Sequence, residues 1–209
     1  MAKKVLFGTS PIGLIPAANE WTGERVEWIE SNSSIAKNMV KNQGYEFLQG
    51  NGIIQGQLIG GCMEVLEMIK GTTLWPSNDV FKDTILFFET SENMPPHTYV
   101  EYWLRNYGSQ GILQNSKAII FGKPYQEKYY KEYKNVIMKI ISELELYHIP
   151  IIYNMSFGHN EPMMCIPYGA MTQIDCNKKA FPYLKQESFK LTINNDQLTD
   201  SGILLWFVI

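Results

Sequence analysis

The chain has 209 residues, of which 45% are hydrophobic and 19% are charged. This balance is typical of a folded protein of one or two domains and excludes a disordered chain. Lysine and arginine number 18 against 21 aspartate and glutamate residues, which gives a formal net charge of −3. Because there is no basic excess, neither nucleic acid nor an anionic membrane surface is expected as a partner.

The first 49 residues have the composition of an irregular arm. Proline and glycine interrupt them repeatedly, and Asn, Ser and Glu are frequent between positions 19 and 42. We expect short strands here rather than a separate core. Trp21 and Trp28 stand among polar neighbours and, together with Trp75, are candidates for exposed apolar surface. Exposed apolar surface favours association, so a homo-oligomer is expected.

The cysteine content indicates a reducing compartment. Cys62, Cys165 and Cys176 are an odd number without CxxC spacing, which argues against a disulfide framework and against a zinc site. Residues 1–6 hold no apolar run long enough for a signal peptide. The apolar stretch at 203–209 is far shorter than the roughly 20 residues of a membrane span. We therefore expect a cytoplasmic protein with no bound metal.

From Gly50 onward, strand patterns alternate with helix patterns. Strands are predicted at 53–59, ending at Gly60-Gly61, and at 84–88, 118–121, 150–154, 165–167, 170–175 and 189–193. Helices are predicted at 62–70, at 97–107 with a stop at Gly108, and at 128–147. Three strands are continuously apolar, which predicts burial on both faces. The fold class is therefore α/β, with a mixed sheet, flanking helices and an antiparallel β extension.

Polar residues follow two of the apolar strands. Glu89 comes directly after 84–88, and His159 lies in a glycine-flanked loop after 150–154. Ligands of α/β sheets gather at the carboxyl ends of strands, so a carboxylate–imidazole pair is a candidate site here. A loop histidine is more often a plain surface residue, and Glu89 would equally suit an exposed strand end. Both interpretations stay open on the residues alone.

Two weaker motifs point elsewhere. The run from Gly50 to Gly56 reads GxGxxxG, one residue off the dinucleotide fingerprint, and it precedes a strand instead of following one. Turn and packing glycines are the better interpretation, and no cofactor is expected.

Ser10 lies in GTSPIG, where Ile12 breaks the GxSxG pattern and Pro11 lacks the N–H of an oxyanion hole. A loop serine is favoured, with recruitment as a substitute nucleophile as the weaker alternative.

Four stretches together resemble the C-terminal domain of the LD-carboxypeptidases, serine peptidase family S66. They are QGQLIGGC at 55–62, ILFFE at 85–89, GHNEP at 158–162 and IPYG at 166–169. The resemblance extends over roughly residues 28–185. The family includes the muramoyltetrapeptide carboxypeptidases of cell-wall recycling and the microcin C self-immunity peptidases. ILFFE and GHNEP are more similar to the microcin-immunity branch.

The resemblance implies a swivelling β/β/α domain and a Ser–Glu–His triad. It assigns Glu89 and His159 as catalytic residues, with His159 as general base and then general acid and Glu89 orienting it. The family's nucleophilic serine lies in an N-terminal domain that no segment of this sequence resembles. The implied substrate is a small peptidoglycan-derived peptide or an aminoacyl-nucleotide-like amide, and a separate nucleophile domain is an expected partner.

The expected organisation has three parts. Residues 1–49 resemble an interdomain linker, residues 50–192 the C-terminal domain of the family, and residues 193–209 form an additional apolar tail. Two functions compete. One is a hydrolase module that is inactive until a serine-bearing domain joins it, and the other is a non-catalytic remnant or binding module.

Overall fold

The computed structural model describes residues 13–185 and confirms the α/β class. The strands are β1 (Gly13–Leu14), β2 (Glu20–Trp21), β3 (Val40–Lys41), β4 (Glu46–Gln49), β5 (Ile53–Cys62), β6 (Ile85–Glu89), β7 (Ala118–Gly122), β8 (Ile151–Met155), β9 (Met171–Asp175) and β10 (Pro182–Lys185). The helices are α1 (Met63–Ile69), α2 (His97–Ser109), α3 (Ile112–Asn115) and α4 (Tyr130–Glu143).

A mixed sheet forms the centre of the domain. Its strand order is β1-β10-β9-β5-β6-β7-β8-β4, while β2 and β3 pair separately. The strands β5, β6, β7 and β8 run parallel. An antiparallel extension of β9, β10 and β1 continues the sheet on one side, and β4 closes the other side antiparallel to β8. The predicted mixed sheet with an antiparallel extension is therefore confirmed.

The core has two layers, one on each face of the sheet. Successive residues of a strand point to opposite faces, so Leu86 and Phe88 join one apolar cluster while Ile85 and Phe87 join the other. Helices α2 and α4 cover the first face with Leu104, Tyr107 and several residues between 136 and 141. Burial on both faces is why β6, β7 and β8 read as continuous apolar runs.

Strand β5 differs from its prediction. The expected end at Gly60-Gly61 is wrong, because the strand continues through both glycines to Cys62. Its first half pairs antiparallel with β9, and its second half pairs parallel with β6. The backbone of Gly60 passes so close to Phe87 that a Cβ would overlap the Phe87 carbonyl. Gly60 therefore permits the close pairing of β5 and β6 instead of ending the strand.

Two predicted helices have different boundaries. The helix expected at 128–147 is limited to α4, because Tyr129 has a left-handed backbone and Leu144 already leaves helical geometry. Helix α2 runs through Gly108, which was expected to stop it. A Cβ at Gly108 would lie 2.7 Å from the Leu144 Cδ1 atom. The glycine therefore serves close packing against the end of α4.

The strand predicted at 165–167 is absent from the described part of the chain. Met164, Cys165 and Ile166 are partly buried and pack against the second apolar cluster. Their apolar character thus reflects packing onto the sheet and not pairing within it. The strand predicted at 189–193 lies outside the described residues, as does Ser10.

The segment predicted as an arm supplies β1 and β4 to the central sheet and contacts the domain at further points. Thr22 and Glu161 exchange two backbone hydrogen bonds of 2.8 Å. The Trp21 ring lies 4.3 Å from the Lys123 ammonium group. Of the three tryptophans expected on exposed surface, Trp28 is fully exposed, whereas Trp21 and Trp75 are half-buried. Within residues 13–185, no helix has the length and apolar character needed to cross a membrane.

Replacing Gly60 by alanine is expected to destabilise the fold by more than about 4 kcal/mol, because the methyl group would overlap the backbone of β6. Gly61→Ala is the matched control. Its φ of 149° is close to the 157° of Gly60, but its Cβ would meet Tyr168 no nearer than 3.6 Å. The control should show only a backbone strain of about 1–3 kcal/mol. Urea unfolding measures both losses, and equal losses would contradict the close approach of the two strands.

Candidate active site

Glu89 and the loop that carries His159 meet at the carboxyl edge of the parallel strands. Glu89 is the last residue of β6, and the loop begins where β8 ends. Phe157 is buried and its ring stands edge-on to Phe87, with the ring centroids 6.1 Å apart. Gly158 has a φ of 102°, and a Cβ there would lie 3.1 Å from Glu89 Oε2. A glycine at this position lets the loop close over the Glu89 carboxylate.

The structure brings the two sequence-predicted site residues together. His159 Nδ1 lies 2.8 Å from Glu89 Oε2, and the two side chains are only 8% and 9% exposed. The hydrogen bond to Glu89 raises the pKa of His159, although burial acts in the opposite direction. A buried carboxylate beside Nδ1 favours the ring form that carries its proton on Nδ1 and stabilises the imidazolium. The arrangement therefore suits an imidazole that accepts and returns a proton through Nε2.

A second carboxylate stands at the other side of the ring. Glu92 Oε2 lies 2.9 Å from His159 Nε2, and Glu92 also pairs with Arg25 at 3.3 Å. A hydrogen bond from its own backbone N–H lowers the pKa of Glu92, and His159 and Arg25 act in the same direction. Sequence reasoning missed both residues. Neither residue carried a local signal, because each reaches the site through a contact that only the folded chain makes.

Asn160 fixes the loop to the neighbouring strand. Its Nδ2 donates hydrogen bonds to the carbonyls of Lys123 and Pro124, at 3.0 and 2.9 Å. Its Oδ1 accepts one from the Gln126 backbone N–H at 3.0 Å. The side chain is buried, so these bonds are shielded from water. His159 is thus held between a buried asparagine on one side and the Phe157 anchor on the other.

The cysteine and serine side chains near the Glu89–His159 pair are poorly suited to nucleophilic attack. Cys62 lies opposite Glu89 in the register of β5 and β6. Burial raises the pKa of the Cys62 thiol, and the Glu89 charge adds to the rise, so the thiolate is scarce at neutral pH. The Ser91 hydroxyl donates to Glu64 at 2.8 Å. In the described residues, the ring nitrogens of His159 contact two carboxylates and no hydroxyl.

The glycine cluster lies at the opposite edge of the sheet. Gly50 and Gly52 turn the chain between β4 and β5, and Gly50 packs against Pro150 at the start of β8. Gly56 is buried inside β5.

Among residues 13–185, no three histidine, cysteine, aspartate or glutamate side chains are arranged to hold a metal ion.

Comparison with solved structures supports the same fold. A MccF-like protein from Streptococcus pneumoniae, solved in complex with AMP, is 25% identical with a TM-score of 0.75, over 87% of this chain and 55% of that one. A MccF-like protein from Bacillus anthracis is 27% identical with a TM-score of 0.73, over 88% of this chain and 54% of that one.

Sequence relatives belong to the same group of proteins as these solved structures. A putative carboxypeptidase of Bacillus subtilis is 27% identical over 166 residues, which are 77% of this chain and 46% of the relative. The microcin C7 self-immunity protein MccF of Escherichia coli is 24% identical over 167 residues, which are 80% of this chain and 47% of the relative. This chain thus spans about half the length of the relatives it matches. The family model of the LD-carboxypeptidase C-terminal domain matches residues 55–174, and the chain belongs to the LD-carboxypeptidase family through this domain.

Proposed function

We propose that this chain supplies the Glu–His half of a serine-dependent amide hydrolase of the LD-carboxypeptidase type. The observation that carries the proposal is the 2.8 Å contact between His159 Nδ1 and Glu89 Oε2 with both side chains almost fully buried. Charge-assisted hydrogen bonds are strong in such surroundings, and the contact with Glu89 leaves Nε2 as the nitrogen that can exchange a proton.

His159 acts first as a base and then as an acid. Its Nδ1–H donates to Glu89, which leaves the lone pair of Nε2 for the proton of an attacking serine hydroxyl. The serine oxygen bonds to the amide carbon as Nε2 takes that proton, and Glu89 stabilises the resulting imidazolium. His159 then returns the proton to the amine nitrogen as the C–N bond breaks. Water repeats the sequence to release the acid.

The attacking serine belongs to a nucleophile domain that packs against the carboxyl edge of the parallel strands. Because Cys62 is held as a neutral thiol, it does not replace that serine. Without the serine and its oxyanion hole, general-base assistance alone contributes only about 10²- to 10⁴-fold. The chain by itself is therefore inactive toward amides in this proposal.

The substrate we propose is a small amide, either a peptidoglycan-derived peptide or an aminoacyl-nucleotide-like compound. The carboxypeptidase name of one relative supports the first class, and the AMP complex of the Streptococcus pneumoniae protein supports the second. We propose that the hydrolysis takes place in the cytoplasm. The full exposure of Trp28 supports a homo-oligomer, because exposed aromatic surface favours association.

The competing candidate is a non-catalytic binding module. The observation that favours it is the position of Glu92. Its carboxylate lies beside Nε2, in the place that the attacking serine hydroxyl would need. A binding module would still bind a small amide but would show no turnover, even when joined to a nucleophile domain. A chimera that joins this chain to a nucleophile domain separates the two candidates.

A chimera in which this chain replaces the matched half of the Streptococcus pneumoniae MccF-like protein is expected to cleave an L-Lys–D-Ala peptide or an aminoacyl-sulfamoyl adenosine. His159→Ala should lower kcat/KM by at least about 10⁴-fold, because it removes the group that carries the proton, and Glu89→Gln by about 10³- to 10⁴-fold, because Glu89 orients the ring and stabilises its imidazolium. Product release measured by mass spectrometry gives the rates.

The matched control in that chimera is Glu143→Gln, which changes a carboxylate on α4 that pairs with Arg105, far from the site in the fold. Its rate should equal that of the unmodified chimera. A folded chimera without turnover on either substrate would support the binding module. Turnover that survives His159→Ala would show that His159 is not the catalytic base.

The buried ion pair should also make folding stability depend on pH. The folded pKa of His159 is raised above its ordinary value, so the imidazolium stabilises the fold at low pH, and this contribution disappears as the pH rises through the raised pKa. The free energy of unfolding should fall more steeply as the pH rises from 6.5 in the wild type than in His159→Gln.

Glu89→Gln should flatten the same profile, because it removes the hydrogen bond that contributes most to the raised pKa. Urea midpoints across the pH series measure all three proteins. Parallel profiles for the wild type and both variants would show that folding does not change the pKa of His159, which would contradict the raised pKa.

A further inference from the structure

Glu92 occupies the face of His159 that proton transfer requires. Its Oε2 lies 2.9 Å from Nε2, while Glu89 contacts Nδ1 from the other side. An imidazole that sits between two carboxylates is most stable with a proton on each nitrogen, since each N–H then meets an anion. A doubly protonated ring has no lone pair and does not act as a base. The contact with Glu92 therefore corresponds to a resting state of the site.

The two carboxylates differ in how firmly they are held. The Glu89 side chain is 9% exposed and lies at the end of a buried strand. Loss of its contact with His159 would leave a charge unpaired and away from water. The Glu92 side chain is 39% exposed and lies in a turn after β6. Water reaches the Glu92 carboxylate, so this carboxylate stays solvated when its contact with the ring breaks.

A second cation is available to Glu92. Arg25, on the arm, lies 3.3 Å from Glu92 Oε1, and its guanidinium stands 5.9 Å from the centre of the Tyr125 ring. Glu92 is therefore shared between His159 and Arg25, one oxygen facing each. A small rotation of the carboxylate toward Arg25 would uncover Nε2 without leaving Glu92 unpaired.

We propose that Glu92 is a displaceable latch on His159, which keeps the imidazole doubly paired until a nucleophile arrives and then moves toward Arg25. When the latch opens, the Nε2 proton passes to water and the neutral ring keeps its Nδ1–H on Glu89. Nε2 is then free to accept the serine proton. The opening step rests on the proposed function, whereas the closed latch is a property of this chain alone.

The closed latch is tested by histidine NMR on the full chain. The sequence has three histidines, so variants His97→Gln and His148→Gln assign the His159 ring signals. The charged groups that act on His159 are Glu89 at the end of β6, Glu92 in the following turn and Arg25 on the arm. Ring nitrogen shifts are followed against pH in the wild type and in each variant.

Glu92→Gln should shift the titration of His159 to lower pH, because one of the two anions that favour imidazolium is lost. Arg25→Gln should shift it to higher pH, because a repelling cation is lost and Glu92 turns fully to the ring. Glu143→Gln is the matched control with a side chain 41% exposed, and it should leave the titration where it is. A His159 titration that Glu92→Gln leaves unchanged or raises would overturn the latch.

The opening step is tested in the chimera. Glu92→Gln should move the acidic limb of kcat/KM to lower pH and leave the plateau unchanged or higher, because the latch no longer competes for Nε2. A plateau that falls as far as in His159→Ala would show that Glu92 is needed for turnover itself and would overturn the latch. If the chimera is inactive throughout, the proposed function fails, while the NMR titration still decides the closed latch.

Discussion

The site depends on three parallel strands that are buried on both faces and end at one edge of the sheet. A slip of one residue would move every side chain of such a strand to the opposite face, where the closely packed layer would no longer fit it. The end of β6 is therefore fixed, and Glu89 with it. The loop after β8 returns across this edge, where Phe157 is buried and Gly158 allows close contact with Glu89. Core packing thus determines the 2.8 Å distance between Glu89 and His159.

Solvent exposure separates the roles of two chemically identical side chains. Glu89 and Glu92 both contact the His159 ring, at 2.8 and 2.9 Å. A carboxylate in a dry site must keep its partner, because charge is costly to leave unpaired there. A carboxylate at the surface is solvated by water and can exchange one cation for another. The same residue type therefore serves as a permanent support on one nitrogen and as a movable contact on the other.

The arm forms part of the wall of the site. Lys123, directly after β7, is only 3% exposed, and its charge is balanced by Glu127 at 2.9 Å and by the ring of Trp21. A lysine buried this deeply needs such partners. The arm also holds the histidine loop through the Thr22–Glu161 pairing and reaches Glu92 through Arg25. Loss of the arm would expose Lys123 and release one side of the loop that carries His159.

Hydrophobic patterning by itself determined the strands and the helices between them, because burial on two faces leaves a continuous apolar run that needs no knowledge of neighbours. The polar residues that follow those runs identified Glu89 and His159 as candidates for one edge. Patterning could not identify the path of β5 through Gly60, where the cause is the backbone of another strand. It also mistook residues 165–167 for a strand, since packing onto a sheet and pairing within one leave similar apolar runs.

The contact of Glu92 with His159 and the approach of Arg25 were decided by tertiary structure alone. Neither follows from local sequence, because each joins segments far apart in the chain through exposed polar atoms that leave no periodic signal. The sequence by itself determined that Glu89 and His159 would stand at the carboxyl edge of the sheet. Only the folded chain decided which atoms face each nitrogen of the ring, because that depends on the path of the loop and the arm over the edge.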